Sequence, residues 1–484
     1  MWSALGLSSL GDGMVVVAIP LLTVSLTSDP VRVAGATVAG TLPGLLFALP
    51  AGVLADRYNR RTLAWAVDFA SFVLLGIFTM LLVGGRVSLS VLYATAFLAG
   101  AFAVTSECVA EASLPSLVQP DHLLKGNSRL YMVDVTGDSL LGTALGGVLF
   151  TVARWIPFLI DAVSFLASAA LLRSAIPDTK PEPSDTKIVE DLAQGWRWFK
   201  NHGLIRVVTA LIFTFAFCQT LVFALLVLYG TRDLHLSNAA YGLLLGLTAL
   251  GNVVGAGIAP DVHHRIGPGW SLLAAGTVAA ISYPVLALTT SPYLACLALA
   301  VEAIAVSVGS VGARSLRQQL VPSEMQGRVG SVFMTFKLAA FPLGALVGGI
   351  LGSTVGVRVT FALAGLIQLI VVGMLSPRLL RQVRIYWRPG SRRRDTIVNL
   401  TDRAPAGSDL GDLELVPEPA DGGDAGRPGR VLLDLRAEPL DVDVEGLGVP
   451  HVVGSPDPVD QGLAGEDPPG VGEEELQQLE LLEG

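Results

Sequence analysis

Eight ionisable side chains stand inside long apolar stretches of this 484-residue chain: Asp12, Asp68, Glu107, Asp134, Asp138, Asp161, Glu302 and Lys337. A charge held among lipid chains costs about 2.5–3.5 kcal/mol on insertion scales, so such positions mark function by default. Asp134 and Asp138 are four residues apart, which on an α-helix puts both carboxylates on one face, about one turn from each other. Facing a cavity, such a pair is suited to passing a proton in and out; beside Arg129 at an interface it is a structural ion pair, and the spacing allows both. Asp12 and Glu107 join them as candidate coupling groups, and Glu107 with Glu111 repeats the four-residue spacing. Glu302 and Lys337 carry opposite charges in successive apolar stretches and are expected to neutralise each other across the interior. Gln219 and the rings of Phe213, Phe215, Phe217, Phe223, Phe333 and Phe336 are the apolar surface and polar anchor that an amphipathic ligand would use, although most such rings simply pack.

The chemistry that is missing narrows the function. Cys108, Cys218 and Cys296 each lie in an apolar run with no Cys-x-x-Cys pair and no histidine cluster, so neither a disulfide nor a metal site is expected. No nucleophile elbow, phosphate loop, zinc-hydrolase or nucleotide-binding spacing occurs. The expectation is a protein that is not an enzyme, has no cofactor and does not bind nucleic acid.

The elements that must hold these side chains are membrane helices. Hydrophobic residues make up 52% of the chain and charged residues 15%, with a mean hydropathy of +0.60, whereas soluble domains carry about 25% charge. Apolar runs centred near Val17, Leu45, Leu75, Phe97, Leu141, Phe165, Phe217, Leu247, Val278, Ala300, Ala345 and Leu366 predict twelve transmembrane helices, an all-α integral membrane fold. An even number of spans puts both termini on one side. Arg57, Arg60, Arg61, Lys125, Arg129, the stretch from Arg173 to Arg206, Arg265, Arg314, Arg317, Arg328 and the run after Arg378 fall in one set of loops, which the positive-inside rule assigns to the cytoplasm. A composition rich in Ala, Gly, Val and Arg over Lys points to a bacterial inner or plasma membrane.

Five segments follow from the pattern: a six-helix half over 1–173, a cytoplasmic linker over 174–203, a second six-helix half over 204–377, a basic juxtamembrane segment over 378–394 and a tail over 395–484. Within the linker, residues from Ile188 to Lys200 alternate apolar and charged at helical spacing. With Trp196, Trp198 and Phe199 they read as an amphipathic helix on the cytoplasmic membrane surface. The basic segment from Arg378 to Arg394 is either a topology anchor or a binding place for anionic lipid headgroups. The tail holds 22 acidic and 4 basic residues, a balance of −18 that leaves +9 on the rest of a chain whose total is −9. Its composition predicts disorder.

The two halves repeat each other. A shift of about 202 residues brings Gly142-Thr143-Ala144-Leu145-Gly146-Gly147-Val148-Leu149 onto Gly344-Ala345-Leu346-Val347-Gly348-Gly349-Ile350-Leu351, and Pro120 onto Pro322. A slightly larger offset sets Gly52, Asp56 and Arg60 over Gly257, Asp261 and Arg265. Duplicated halves of this kind build secondary transporters whose site lies between them near the midplane.

Gly52-Val53-Leu54-Ala55-Asp56-Arg57-Tyr58-Asn59-Arg60-Arg61 closely resembles the signature of the major facilitator superfamily, Gly-x-Leu-Ala-Asp-Arg-x-x-Arg-Arg, between helices two and three. The resemblance implies a conformational-switch role for Gly52, Asp56, Arg57, Arg60 and Arg61, with Gly52 allowing close helix approach and the arginines anchoring the loop. Leu10-Gly11-Asp12, Ile19-Pro20-Leu21-Leu22, Leu49-Pro50-Ala51-Gly52, Asp161-Ala162-Val163-Ser164-Phe165, Tyr241-Gly242-Leu243-Leu244, Ser315-Leu316-Arg317-Gln318 and Pro342-Leu343-Gly344-Ala345 are similar to the drug:proton antiporter-3 group, which includes macrolide-efflux proteins and enterobactin exporters. That likeness implies two pseudo-symmetric halves, a monomer among membrane lipids, and proton-driven export of a small amphipathic compound. It makes Asp161 a helix brace and Gly142, Gly146 and Gly147 the helix-five glycine motif. The sequence departs from the exporter pattern at Thr143, where a proline is usual, and in a fourth helix without arginine. An importer or uniporter on the same fold, or a membrane sensor acting through the acidic tail, are the alternatives.

Overall fold

The computed structural model describes residues 2–117, 135–175 and 188–386. Asp134, Lys125, Arg129, the first part of the linker and the acidic tail lie outside the described residues, as do the side chains of Asp56 and Arg57. A segment without water must satisfy its own backbone, and the chain does this with helices. They are α1 (Trp2–Leu26), α2 (Pro30–Arg57), α3 (Arg60–Val83), α4 (Leu89–Leu117), α5 (Val135–Val152), α6 (Ile156–Ala175), α7 (Ile188–Asn201), α8 (Gly203–Leu228), α9 (Asn238–Ile266), α10 (Pro268–Leu288), α11 (Pro292–Leu320), α12 (Gln326–Thr354) and α13 (Val357–Tyr386). All but α7 contribute a span long and apolar enough to cross a bilayer, twelve in all, and every predicted centre falls inside one.

Local signals set several ends. Asp29 accepts from Val31 N at 3.0 Å to start α2, Asn59 accepts from Arg61 N at 3.0 Å to start α3, and Ser237 accepts from Ala240 N at 3.2 Å to start α9. Gly267, at φ 81°, turns the chain from α9 directly into α10, a conformation open to glycine at no steric cost. One helix departs from expectation: α5 begins as a π-helix over Val135–Gly142 and becomes α-helical at Thr143. Asp138 lies in this π-helical stretch, and Asp134 lies just before it, outside the described residues.

The sequence repeat is also a repeat of contacts. On α5, a Cβ added to Gly142 would lie 2.7 Å from Gly13 Cα of α1, and one on Gly146 2.7 Å from Met14 Cα. At the matching positions of α12, Gly344 packs on Phe217 and Gly348 on Leu221 of α8. The third glycine of each motif faces the other half: Gly147 meets Gly242 of α9, and Gly349 meets Val31 and Ala34 of α2. Small residues are needed here because lipid gives helices no hydrophobic drive to associate, so close backbone packing holds them.

These contacts join the halves at one end. We call the end bearing Trp2, the α2–α3 turn and Tyr386 the terminal end, and the opposite one the distal end. A single buried cluster runs through both halves distally, from Leu21, Leu22 and Val33 to Leu225, Tyr229, Tyr241 and Phe361. At the terminal end each half keeps its own cluster, with Ala64, Val109 and Leu172 in one and Leu211, Leu272 and Leu316 in the other. Among the described residues, the apolar clusters join the two halves distally and stay within each half terminally.

The linker helix packs on the second half. Phe199 is buried with Ile205, Val321, Val329 and Val332, and Phe336 of α12 stacks on both Phe199 and Trp196 at ring separations of 5.5 and 6.1 Å. Arg328 Nη1 donates to Gln194 Oε1 at 2.7 Å, and Gly195 rests on the Arg328 backbone. The apolar face of α7 thus docks on α12; the aromatic residues assigned to a headgroup zone are partly spent on protein.

Candidate substrate and coupling site

Three helices of the first half bring together carboxylates from distant parts of the chain. Gly11 and Gly13 flank Asp12 on α1. A Cβ on Gly11 would overlap Asp161 Oδ1 of α6, and one on Gly13 would overlap the backbone of Asp138 on α5. The glycines therefore let α1 sit directly against both acidic positions, and the charges of Asp12 and Asp138 both bear on Asp161. Each carboxylate takes a nearby serine hydroxyl: Ser8 Oγ donates to Asp12 at 3.3 Å, Ser139 Oγ to Asp138 at 3.2 Å and Ser164 Oγ to Asp161 at 3.3 Å. Asp161 is 1% exposed, while Asp12 and Asp138 are half-buried. Repulsion among neighbouring carboxylates, one of them fully buried, is relieved by a proton or a cation. No group of three His, Cys, Asp or Glu side chains among the described residues has the geometry to hold a metal ion.

The sequence pointed to Asp12 and Asp138 but paired Asp138 with Asp134 and set Asp161 aside as a brace. In the structure Asp161 Oδ1 lies against Gly11 of α1, next to Asp12, and the Asp138 backbone meets the same helix at Gly13. The signal that could have found this is Gly11-Asp12-Gly13, a carboxylate between two residues that invite another helix.

The other charges sort into three places. Asp68 on α3 accepts from Ser168 Oγ of α6 at 2.6 Å, and its Oδ1 is buried without a hydrogen-bond partner. Glu302 on α11 is fully buried and does not pair with Lys337: its Oε1 accepts from Tyr283 OH at 3.0 Å and from Gln219 Nε2 at 3.2 Å, while Oε2 has no partner. The preceding helix, α10, supplies the Tyr283 hydroxyl in place of a cation, and Gln219 of α8 is thereby engaged inside the second half. Lys337 on α12 lies instead in the field of Arg314 on α11 and Glu107 on α4. Phe215 is buried against Gly276 and Phe336 under α7, which removes both from the rings expected to line a cavity.

At the α2–α3 turn the structure describes Gly52, Arg60 and Arg61. A Cβ on Gly52 meets no described atom within 4 Å, and Asn59 of the adjoining turn caps α3.

Residues 1–385 match the family model described as transmembrane secretion effector. The chain is 26% identical over 385 residues to the enterobactin exporter EntS of Citrobacter koseri, covering 78% of this chain and 90% of the exporter. It is 24% identical over 386 residues to the multidrug efflux pump Tap of Mycobacterium bovis, covering 77% and 91%. Among solved structures, a bacterial homologue of the iron transporter ferroportin in an inward-facing state aligns at TM-score 0.58 and 19% identity over 78% of this chain and 97% of that one. A bacterial homologue of the lysosomal transporter Spinster, inward-facing and occupied, aligns at TM-score 0.63 and 14% identity over 80% and 97%. A match this long to a family of transporters, on a bundle of twelve spans in two repeated halves, identifies the chain as a multi-pass membrane transporter of small molecules that belongs to the transmembrane secretion effector family of the major facilitator superfamily.

Proposed function

We propose that the protein exports a small amphipathic compound, such as an antibiotic, siderophore or other secondary metabolite, from the cytoplasm of a bacterium by proton antiport with alternating access. The observation that carries this reading is the convergence of Asp12, Asp138 and Asp161 from three helices, because carboxylates grouped inside a bundle are the side chains suited to taking up and releasing protons in step with its motion. The relatives' names, an enterobactin exporter and a multidrug efflux pump, support outward transport. The excess of arginine and lysine at the terminal end favours a cytoplasmic location for both termini, in which case the divided end opens to the cytoplasm and the protein stands ready to receive cargo. We read it as a monomer held among lipids in the cell membrane.

Everted membrane vesicles test the coupling. A pH gradient established across them collapses when enterobactin or a panel of amphipathic antibiotics is added, and the response is lost in Asp138→Asn and Asp161→Asn. Substrate uptake that persists without any proton flux would replace antiport by uniport, the reading that Thr143 and the arginine-free α4 favour.

A further inference from the structure

The charges of the second half form an ordered wall that the acidic site does not use. Arg317 on α11 reaches across to α12, its guanidinium 5.2 Å from the centre of the Phe333 ring, and Gly330 leaves room for it, a Cβ there lying 3.1 Å from Arg317 Nη1. The two helices run antiparallel. One turn back along α11 is Arg314, and one turn forward along α12 is Lys337, whose electrostatic neighbours include that arginine. The wall thus has one rung fixed by contact, Arg317 over Phe333, and a second placed one turn deeper by helical spacing, Arg314 on α11 and Lys337 on α12.

The wall faces the other half. Leu338, next to Lys337, and Val104 of α4 both approach Gly44 of α2, where a Cβ would lie 3.6 and 3.9 Å from them. Glu107, one turn from Val104 toward the terminal end, is the first-half charge that bears on Lys337. Among the described residues this place holds three cations and one carboxylate, on the side where the halves are divided. Arg314 is exposed while Arg317 and Lys337 are half-buried, and cations withdrawn from water are costly unless something anionic joins them.

We propose that Arg314, Lys337 and Arg317 bind an anionic group of the transported compound, a carboxylate, phenolate or sulfonate on an amphipathic molecule whose ring lies along Phe333. Cargo entering from the terminal end takes Lys337 from Glu107. This names the substrate class of the exporter reading, and rests on that reading only for the direction of travel.

The test uses the full chain in an uncharged detergent and two dyes with one xanthene ring system, anionic fluorescein and cationic rhodamine 6G, followed by fluorescence anisotropy. Fluorescein binds more tightly than rhodamine 6G, and its binding weakens at least about tenfold in an Arg314→Gln, Lys337→Met double variant, the loss expected for hydrogen bonds to charged groups. Lys337→Arg retains binding, and Glu107→Gln strengthens it. If the double variant does not fold, the unaltered protein still decides: benzoate displaces fluorescein and benzylamine does not. Preferential binding of rhodamine 6G, or equal displacement by the two competitors, overturns the proposal. So does fluorescein binding that is present in phosphatidylcholine nanodiscs and abolished by phosphatidylglycerol, which would assign the cations to a lipid headgroup. Charge-selective binding without proton-linked transport would defeat the export reading and leave this site standing; coupled export with charge-blind binding would do the reverse.

Discussion

Replacing Gly147 by valine should drive the distal end open. A Cβ at this position would lie 2.6 Å from the Asn238 carbonyl and 2.8 Å from Gly242 Cα, whereas ordinary contact is 3.4–4 Å. Relief of the Cβ alone requires α5 and α9 to part by about 0.6–1 Å, and the two further methyl groups of valine ask for more. Overpacking of this kind costs about 1–3 kcal/mol. The cost falls on the distally closed state, because the contact joins the two halves at that end, so the ratio of distally open to distally closed molecules rises by roughly 5- to 150-fold. Double electron–electron resonance reads this directly. Spin labels at Arg154→Cys and Arg232→Cys, both exposed near the distal ends of their halves, would be introduced after Cys108, Cys218 and Cys296 are replaced. The distance distribution should gain a longer component. Gly349→Val, the repeat-related position against Val31 and Ala34, should do the same. Gly257→Val on α9 is the control, since a Cβ there meets nothing described within 4 Å. Unchanged distances in both monodisperse variants, or an equal shift in the control, would refute the assignment of these glycines to the closed distal gate.

Other perturbations separate the remaining sites. Gly195→Val puts side-chain atoms into the Arg328 backbone and should release α7, seen as faster hydrogen exchange over residues 188–201, while Arg328→Ala, which removes the 2.7 Å bond to Gln194 and the 3.8 Å contact with Met325 Sδ but leaves the backbone contact in place, should give a smaller increase. Tyr283→Phe leaves Glu302 with Gln219 as its remaining donor and should lower stability by about 1–3 kcal/mol in thermal unfolding, with coupling unaffected. Arg358→Ala breaks a 2.8 Å bond to Asp233, about a third exposed on both sides, and should cost no more than about 1 kcal/mol. Deleting residues 396–484 should leave transport unchanged; loss of transport or of a bound partner would favour the sensor reading.

The sequence alone determined the elements and their repetition. Apolar run length set the number of spans, since a bilayer core of fixed thickness asks the same of every crossing helix, and all twelve predicted centres lie within the observed spans. The glycine repeat was legible because lipid-embedded helices touch through small residues, and Gly142, Gly146 and Gly147 have the contact roles that Gly344, Gly348 and Gly349 have in the other half. What the sequence could not determine was which charges share a place. Linear spacing paired Asp134 with Asp138 and left Glu302 and Lys337 to find each other. Asp134 lies outside the described residues; the backbone approach of α1 at Gly11 and Gly13 brings Asp161 and Asp138 to the same helix, and the Tyr283 hydroxyl and Gln219 take Glu302 in place of Lys337. Charge partnership within a bundle depends on crossing angles and rotation of helices about their axes. Those are set by packing among all the helices at once, and only the tertiary structure carries that information.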